Sequence, residues 1–233
     1  MDTKILMLFS SMTKRKLQRF AELNTLKNVI QPEKEDLLHD NFFYKGRWAE
    51  AFFGNNNPIV IELGCGKGEY TTGLAQKCPG INFIGIDIKG DRLWRGGKTA
   101  LEKSLRNVAF LRIQIESIEF FFRKDEITEI WIPYPDPQPN KPKTKKRLTS
   151  PQFIGRYRKI LKPNGIIHLK TDSIPLFEYT LDVIREGNHT LLFSTKDLYD
   201  LKLNDDILSI KTYYEQMSIE KGCPICYLRF RLY

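Results

Sequence analysis

The segment Ile61-Glu62-Leu63-Gly64-Cys65-Gly66-Lys67-Gly68 decides how this chain is expected to fold. It begins inside the apolar run PIVIEL and continues into three glycines at alternate positions. This pattern is typical of a strand that ends in a tight turn before a helix. Glycines let the backbone turn sharply and approach a ligand closely, because no side chain intervenes. The segment therefore predicts the first strand and the ligand-binding turn of an α/β domain.

From residue 58 onward, short runs rich in β-branched residues alternate with longer amphipathic stretches. Such alternation indicates a mostly parallel, Rossmann-like sheet with helices on both faces. We expect seven strands, two of them late in the chain. The predicted strands are PIVIEL (58–63), INFIGID (81–87), VAFLRI (108–113), ITEIWI (127–132), GIIHLK (165–170), HTLLFSTK (189–196) and CPICYLRFRLY (223–233).

The length of the chain favours one domain with a tail. A chain of 233 residues, 41% of them hydrophobic, is long enough for one well-buried core and short for two. We expect a basic N-terminal arm over residues 1–40 and one globular domain over 41–233. The arm is expected to be flexible or helical, because basic residues crowd there with few acids. These are Lys14, Arg15, Lys16, Arg19 and Lys27.

The composition favours a polyanionic partner. The net charge is +9, and a basic surface attracts nucleic acid and releases its counterions on binding. A basic surface that serves only solubility is the alternative. No stretch approaches the roughly 20 apolar residues of a membrane span, and the early ILMLF run is too short for an export signal. We expect a cytoplasmic protein with no membrane partner, whose four cysteines remain thiols.

The glycine turn is expected to hold a nucleoside. Asp87 ends the second predicted strand about 23 residues after Gly64, where a carboxylate accepts both ribose hydroxyls. The spacing G-x-G-x-G differs from the G-x-G-x-x-G of nicotinamide-dependent oxidoreductases. Glu62 suits the cationic amine and sulfonium of S-adenosylmethionine and would repel a pyrophosphate. S-adenosylmethionine is therefore the predicted cofactor, held by Glu62, Gly64, Gly66, Gly68 and Asp87, with Gln114 near the adenine. The alternative is a tight turn and a helix cap without a ligand.

The segment PYPDPQPNKPKTKKR (133–147) is predicted to be a loop at the binding edge of the sheet. Its five prolines leave too few backbone donors for a helix or strand interior. Prolines on both sides fix Asp136, the candidate catalytic residue, at little entropic cost. The basic side chains that follow suit a base bound beside a phosphate backbone, and a solvated surface loop is the alternative. They are Lys141, Lys143, Lys145, Lys146 and Arg147.

Four motifs in order, IELGCGKGEY, PDPQPNKPKTKKRLT, LKTD (169–172) and TYYE (212–215), resemble those of bacterial tRNA (guanine-N7-)-methyltransferases. The resemblance covers roughly residues 12–233. It implies a class I methyltransferase fold and methyl transfer from S-adenosylmethionine to N7 of a guanine in the variable loop of tRNA. It also implies that Glu62, Asp87, Gln114 and Asp136 line the methyl-donor site. On the substrate side it implies Asp172, Thr212, Tyr213, Tyr214 and Glu215.

Two positions depart from the family loop D-P-W-P-K-K-R-H. Gln138 replaces the tryptophan, and Asn140 stands where the substrate-binding lysine is expected, so Lys141 is the candidate to supply that charge. The stretch from Met12, MTKRKLQRFAEL, resembles the usual start of the family. The preceding eleven residues are therefore expected to be an upstream start or a non-native extension.

One further motif, Cys223-Pro224-Ile225-Cys226, has the spacing of half a zinc site. No second cysteine or histidine pair in the sequence completes a tetrahedral set, so we expect strand residues and no metal. The alternatives for function are a methyltransferase of another RNA or of a protein, and a non-catalytic RNA-binding relative. The sequence leaves monomer and homodimer open.

Overall fold

The computed structural model describes residues 17–33, 35–36, 41–201 and 205–232. Its strands are β1 (Val29–Ile30), β2 (Ile59–Leu63), β3 (Asn82–Asp87), β4 (Val108–Arg112), β5 (Ile127–Pro133), β6 (Leu161–Thr171), β7 (Thr190–Thr195) and β8 (Cys226–Arg231). Residues 17–23 are helical, and the later α-helices include α1 (Glu69–Lys77), α2 (Gly90–Glu102), α3 (Pro151–Tyr157), α4 (Ile174–Glu186) and α5 (Tyr213–Glu220). Ile115–Phe120 and Lys141–Lys146 are 3₁₀ helices, and Trp48–Phe52 is a π-helical turn.

The strands form one sheet in the order β1-β4-β3-β2-β5-β6-β8-β7. Of the paired strands described, only β8 runs against its neighbours, between β6 and β7. The chain leaves β2 toward β3 and β4, then returns to place β5 on the other side of β2. In open α/β sheets, ligands bind outside the carboxyl ends of the strands at this point of reversal. The topology therefore assigns the binding edge to the ends of β2, β3 and β5.

Apolar side chains cover both faces of the sheet. One face packs against α1 and α2, together with Leu198, Leu208 and Ile210. The other packs against α3, α4 and an aromatic cluster around the wholly buried Trp48, whose indole donates a hydrogen bond to the Phe121 carbonyl at 3.0 Å. Helices on both faces explain why the central strands are apolar throughout rather than alternating.

The seven predicted strands are all present, and the mostly parallel sheet is confirmed. The eighth strand, β1, was not predicted, because two residues are too short to show a period. It pairs in parallel with β4, and its Val29 is buried together with the preceding Leu23 on the face of the sheet that α2 covers. The described part of the predicted arm thus packs on the sheet, while Lys14, Arg15, Lys16 and the residues before Met12 lie outside the described ranges. The division at residue 40 stays a prediction.

The prediction of a loop throughout 133–147 is wrong in two places. Strand β5 continues to Pro133, and Lys141–Lys146 forms a 3₁₀ helix. Pro142 is accommodated in the first turn of this helix, where a backbone N–H would have no partner in any case.

Among the described residues, no helix is both long and apolar enough to cross a bilayer. Nor does that part of the chain contain a group of three or more side chains arranged to hold a metal ion. In the C-x-x-C motif, Cys226 lies in β8 and its thiol donates to the Lys196 carbonyl at 3.3 Å, whereas Cys223 is exposed before the strand.

Candidate active site

The glycine turn follows β2 and begins α1. The backbone N–H groups of Gly64 and Cys65 both donate to the Ile86 carbonyl of β3, at 2.8 and 3.0 Å. Gly64, Gly66 and Gly68 all have positive φ, between 55° and 71°. A Cβ atom on Gly68 would stand 2.5 Å from the Phe110 ring. Backbone conformation therefore favours glycine at all three positions, and close packing against β4 additionally requires it at Gly68.

Asp87, at the end of β3, joins the turn to the next helix. Its Oδ2 accepts from the Gly66 N–H at 2.9 Å, and its Oδ1 accepts from the Lys89 N–H at 2.8 Å. Lys89 is the N-cap of α2, so Asp87 does support the helix start. Each carboxylate oxygen keeps lone pairs for further donors, and Asp87 also lines the cavities described next. Support of the helix and binding of ribose hydroxyls are thus compatible.

Two adjoining cavities open at the carboxyl edge of the sheet. The first, of about 520 Å³, is lined by the glycine turn, by the loop after β5 and by the start of α5. The second, of about 370 Å³, contains Gln114 and is walled by apolar side chains including Ile88, Ile113 and Phe153. Gly64, Asp87 and Leu148 belong to both. The predicted residues that line the first are Glu62, Gly64, Gly66, Asp87, Asp136, Thr212, Tyr213 and Tyr214.

Glu62 lies at the base of the first cavity with only 3% of its surface exposed. Its Oε2 accepts a hydrogen bond from the Thr71 hydroxyl. Burial raises the pKa of the Glu62 carboxyl to about 8, and the nearby charges of Glu69 and Asp87 contribute in the same direction. No ion pair joins Glu62 to a cation in the described part of the chain. A buried carboxyl without a cationic partner is suited to a ligand that brings the positive charge.

These features fit S-adenosylmethionine. Glu62 has the charge that suits a cationic amine, Asp87 lies where the two cavities meet and has free lone pairs for hydroxyl donors, and the second cavity with Gln114 is apolar enough to suit an adenine ring. Gly68 is buried behind the turn and acts through backbone geometry rather than as part of the cavity wall.

The loop that carries Asp136 is stabilised locally. Asp136 is exposed on the cavity wall, and its Oδ1 accepts from the Gln138 N–H at 3.0 Å. Asn140 is exposed and is the N-cap of the 3₁₀ helix. The helix begins at Lys141, whose side chain lies outside the described part of the protein.

The basic residues after the loop do not share one environment. Lys143, Lys145 and Lys146 are exposed, and Lys146 also lines the second cavity. Arg147, which the sequence grouped with them, is turned inward and only 8% exposed. The interpretation of this segment as a uniform phosphate-binding tract is therefore wrong at Arg147.

The TYYE segment forms the start of α5. Thr212 is its N-cap, with its hydroxyl accepting from the Glu215 N–H at 3.1 Å. The Tyr213 N–H donates to Glu69 Oε2 at 2.8 Å, which ties this segment to α1. Tyr213 and Tyr214 are exposed on the cavity wall. This end of α5 therefore presents two aromatic rings beside the cavity.

Glu215 is not on the cavity wall. It is wholly buried, and its Oε1 accepts from Lys170 Nζ at 2.6 Å and from the Tyr199 hydroxyl at 2.6 Å. Its Oε2 has no hydrogen-bond partner among the described residues. Lys170, equally buried, also donates to the carbonyls of Leu208 and Ile210 at 2.8 and 3.2 Å. Lys170 was not among the predicted site residues, although a lysine within the mostly apolar end of β6 was a signal for it.

Asp172 and Tyr134 flank this buried pair. Asp172 is exposed after β6, and its Oδ2 accepts from the Ser218 hydroxyl of α5 at 2.6 Å. Tyr134, which sequence analysis did not single out, lines the first cavity, and its buried hydroxyl has no partner in the described ranges. Burial raises the pKa of the Tyr134 phenol, with the charges of Glu215 and Asp172 contributing. Tyr134 therefore adjoins both the cavity and the buried pair, since its N–H donates to the Lys170 carbonyl at 2.7 Å.

The sheet order, the glycine turn after β2 and the carboxylate after β3 together define a class I S-adenosylmethionine-dependent methyltransferase. Among solved structures, the fold matches that of the 16S rRNA methyltransferase KamB with a TM-score of 0.60. The two proteins are 13% identical, and the match covers 78% of this chain and 91% of that one. A family model described as a putative methyltransferase matches residues 56–228.

Sequence relatives narrow this class. The tRNA (guanine-N(7)-)-methyltransferase of Christiangramia forsetii is 51% identical over 221 residues, which cover 94% of this chain and 99% of the relative. The enzyme of the same description from Bacteroides thetaiotaomicron is 50% identical, with 95% and 87% covered. The chain belongs to the tRNA (guanine-N(7)-)-methyltransferase family, as the resemblance predicted.

Proposed function

We propose that this protein transfers a methyl group from S-adenosylmethionine to N7 of a guanine in the variable loop of tRNA. The observation that carries the proposal is the shared wall of the two cavities. It brings the nucleoside-binding features around Asp87 next to the Asp136 loop and to the tyrosines of α5. A donor held by the glycine turn thereby lies beside an open surface on which a base can be presented. We further propose that the enzyme works in the cytoplasm as a monomer or homodimer.

Methylation of guanine N7 requires little acid–base catalysis from the protein. S-adenosylmethionine supplies, when bound, a methyl group on a cationic sulfur. N7 has an in-plane lone pair and no proton, so no general base is needed to activate it. The protein's part is to hold the two reactants in line and to exclude water, which is catalysis by proximity and orientation. Positive charge develops on the imidazole ring of the base, and the Asp136 carboxylate at the cavity wall stabilises it.

On the substrate side, the proposal assigns recognition of the base to the start of α5. Exposed Tyr213 and Tyr214 offer ring faces for stacking, and stacking is the usual way to hold a base that has left its helix. The unpartnered Oε2 of Glu215 is an acceptor that matches the N1 and N2 donors of guanine. Because Glu215 is wholly buried and is not on the cavity wall, contact with the base requires a local rearrangement. Asp172 is proposed to support α5 through Ser218 as well as to contact the substrate.

The RNA backbone is proposed to lie along the exposed lysines of the 3₁₀ helix. Lys143 and Lys145 project from it into solvent, and Asn140 and Lys141 precede them. Lysine contacts to phosphates are independent of sequence and release counterions. The contribution of each lysine is therefore expected to weaken as salt is raised.

The test is transfer of a labelled methyl group from S-adenosylmethionine to bulk tRNA, followed by mapping of the modified base. Wild-type enzyme is expected to label N7 of a variable-loop guanine. Asp136→Asn is expected to lower kcat about 100-fold with little change in KM for tRNA, because it removes a charge that acts mainly in the transition state. Asp182→Asn, an exposed acid on α4, is the matched control. If the cofactor bound but no tRNA were labelled, this substrate would be abandoned and other RNA and protein acceptors tested.

A further inference from the structure

Arg147 differs from every other described basic residue of the segment after the Asp136 loop. Lys143, Lys145 and Lys146 are exposed, whereas Arg147 is 8% exposed. A buried guanidinium requires acceptors within the protein, because an unpaired buried charge is costly. The contacts of Arg147 therefore indicate what this side chain does.

Those contacts all lead to the loop and to one aromatic ring. Arg147 Nε donates to the Pro137 carbonyl at 3.0 Å, and Nη2 donates to the Gln138 carbonyl at 3.3 Å. The guanidinium carbon lies 4.3 Å from the centre of the Tyr179 ring on α4. The planar guanidinium thus donates hydrogen bonds to two consecutive carbonyls and makes a cation–π contact with an aromatic ring, an arrangement that lysine cannot reproduce.

These two carbonyls belong to Pro137 and Gln138, the residues that directly follow Asp136. Gln138 has φ of +43°, a left-handed conformation that a residue with a Cβ adopts only when its surroundings enforce it. In this conformation the Gln138 N–H donates to Asp136 Oδ1. Without the Arg147 contacts the favoured conformations of Gln138 differ, and the hydrogen bond that orients the carboxylate is lost with them.

We propose that Arg147, supported by Tyr179, is a positioning residue that fixes the Asp136 carboxylate for methyl transfer, and that it does not bind RNA phosphate. The proposal rests on the proposed function for its kinetic consequences, and the conformational part stands independently of it. Loss of these Arg147 hydrogen bonds is expected to displace Asp136 by an amount on the order of 1 Å. A displacement of that size commonly lowers the rate at a catalytic site about 10- to 100-fold.

The first experiment measures the conformation of the loop without reference to activity. Amide hydrogen exchange at Gln138 is compared in wild type, Arg147→Lys and Tyr179→Leu. Both variants are expected to exchange at least 10-fold faster at this amide, with unchanged exchange in β2 and β5. Equal protection of Gln138 in wild type and Arg147→Lys would overturn the proposal, whatever the enzyme methylates.

The second experiment separates positioning from RNA binding by steady-state kinetics. Arg147→Lys keeps the charge and is expected to lower kcat about 10- to 100-fold with an unchanged KM for tRNA and an unchanged dependence of RNA affinity on salt. Lys145→Ala is the contrasting variant: it is expected to raise KM and to reduce the salt slope by about 1. A raised KM and a reduced slope in Arg147→Lys would identify Arg147 as a phosphate ligand and overturn the proposal.

The third experiment asks whether Arg147 acts through Asp136. In an Asp136→Asn background, Arg147→Lys is expected to cost less than 3-fold in kcat, because the group it positions is already gone. Fully multiplicative losses would contradict that role. Wild-type enzyme inactive on all tRNA would refute the proposed function alone, since the exchange experiment still decides the conformational part.

Discussion

Replacing Glu62 by glutamine removes a carboxyl group that the fold buries without a cation. Burial raises the pKa of Glu62 from its ordinary value of 4.5 to about 8. Between these pH values the folded protein holds a proton that the unfolded chain has released, so the Glu62 contribution to stability falls as pH rises. At about 1.4 kcal/mol for each pH unit, the loss is about 3 kcal/mol at pH 7 and levels off near 5 kcal/mol above pH 8.

Glu62→Gln is therefore expected to be more stable than wild type without cofactor, with a difference that is small at pH 5 and grows to several kcal/mol by pH 9. Urea unfolding at pH 5, 7 and 9 measures this difference. Glu50→Gln, a change at an exposed acid, is expected to follow wild type at every pH. Parallel pH dependence in wild type and Glu62→Gln would refute the reasoning.

The same carboxyl links cofactor binding to proton release. A cationic ligand beside Glu62 favours the ionised form, so wild type is expected to release close to one proton on binding S-adenosylmethionine at pH 7. Calorimetric titrations in two buffers of different ionisation enthalpy measure this number. Glu62→Gln is expected to release none and to bind about 10- to 100-fold more weakly, the scale of one lost partly buried charge pair.

Two further substitutions test packing and the buried ion pair. Gly68→Ala places a Cβ 2.5 Å from the Phe110 ring at a positive φ. The free energy of unfolding, measured in urea, is therefore expected to fall by about 2 kcal/mol or more, and calorimetry is expected to show weaker cofactor binding. Unchanged stability would show that the turn relaxes freely. Lys170→Met leaves Glu215 buried without its cation, and the free energy of unfolding is expected to fall by about 3–5 kcal/mol. Adding Glu215→Gln is expected to restore part of this stability. No recovery in the double variant would mean that the charge of Glu215 is not the cause of the loss.

The central fold and the donor site could be predicted because their signals are local. The alternate glycines, the strand ending at Asp87 and the apolar runs each lie within a few residues of one another, and the parallel topology brings their ends together at one edge. Strand β1 was missed because two residues show no period, and its place beside β4 depends on partners about 80 residues away.

The burial of the Arg147 and Glu215 side chains could not be predicted either, and the reason differs from that for β1. In sequence, Arg147 is one more cation after four lysines, and Glu215 is one more acid near the start of a helix. Their partners, Tyr179 in one case and Lys170 in the other, are about 30 and 45 residues distant. Pairing over such distances is fixed by the packing of α4 and α5 on the sheet, for which composition and spacing carry no signal.

The short helix Lys141–Lys146 carries residues that are assigned to two different ligands in the proposed complex. Lys146 lines the cavity assigned to the adenine, while Lys143 and Lys145 project to solvent where RNA is expected. Because these lysines belong to one short helix, a shift of the helix on binding one ligand is expected to affect the site of the other. Thermodynamic linkage then requires that whatever factor the methyl donor adds to the affinity for tRNA, tRNA adds the same factor to the affinity for the donor.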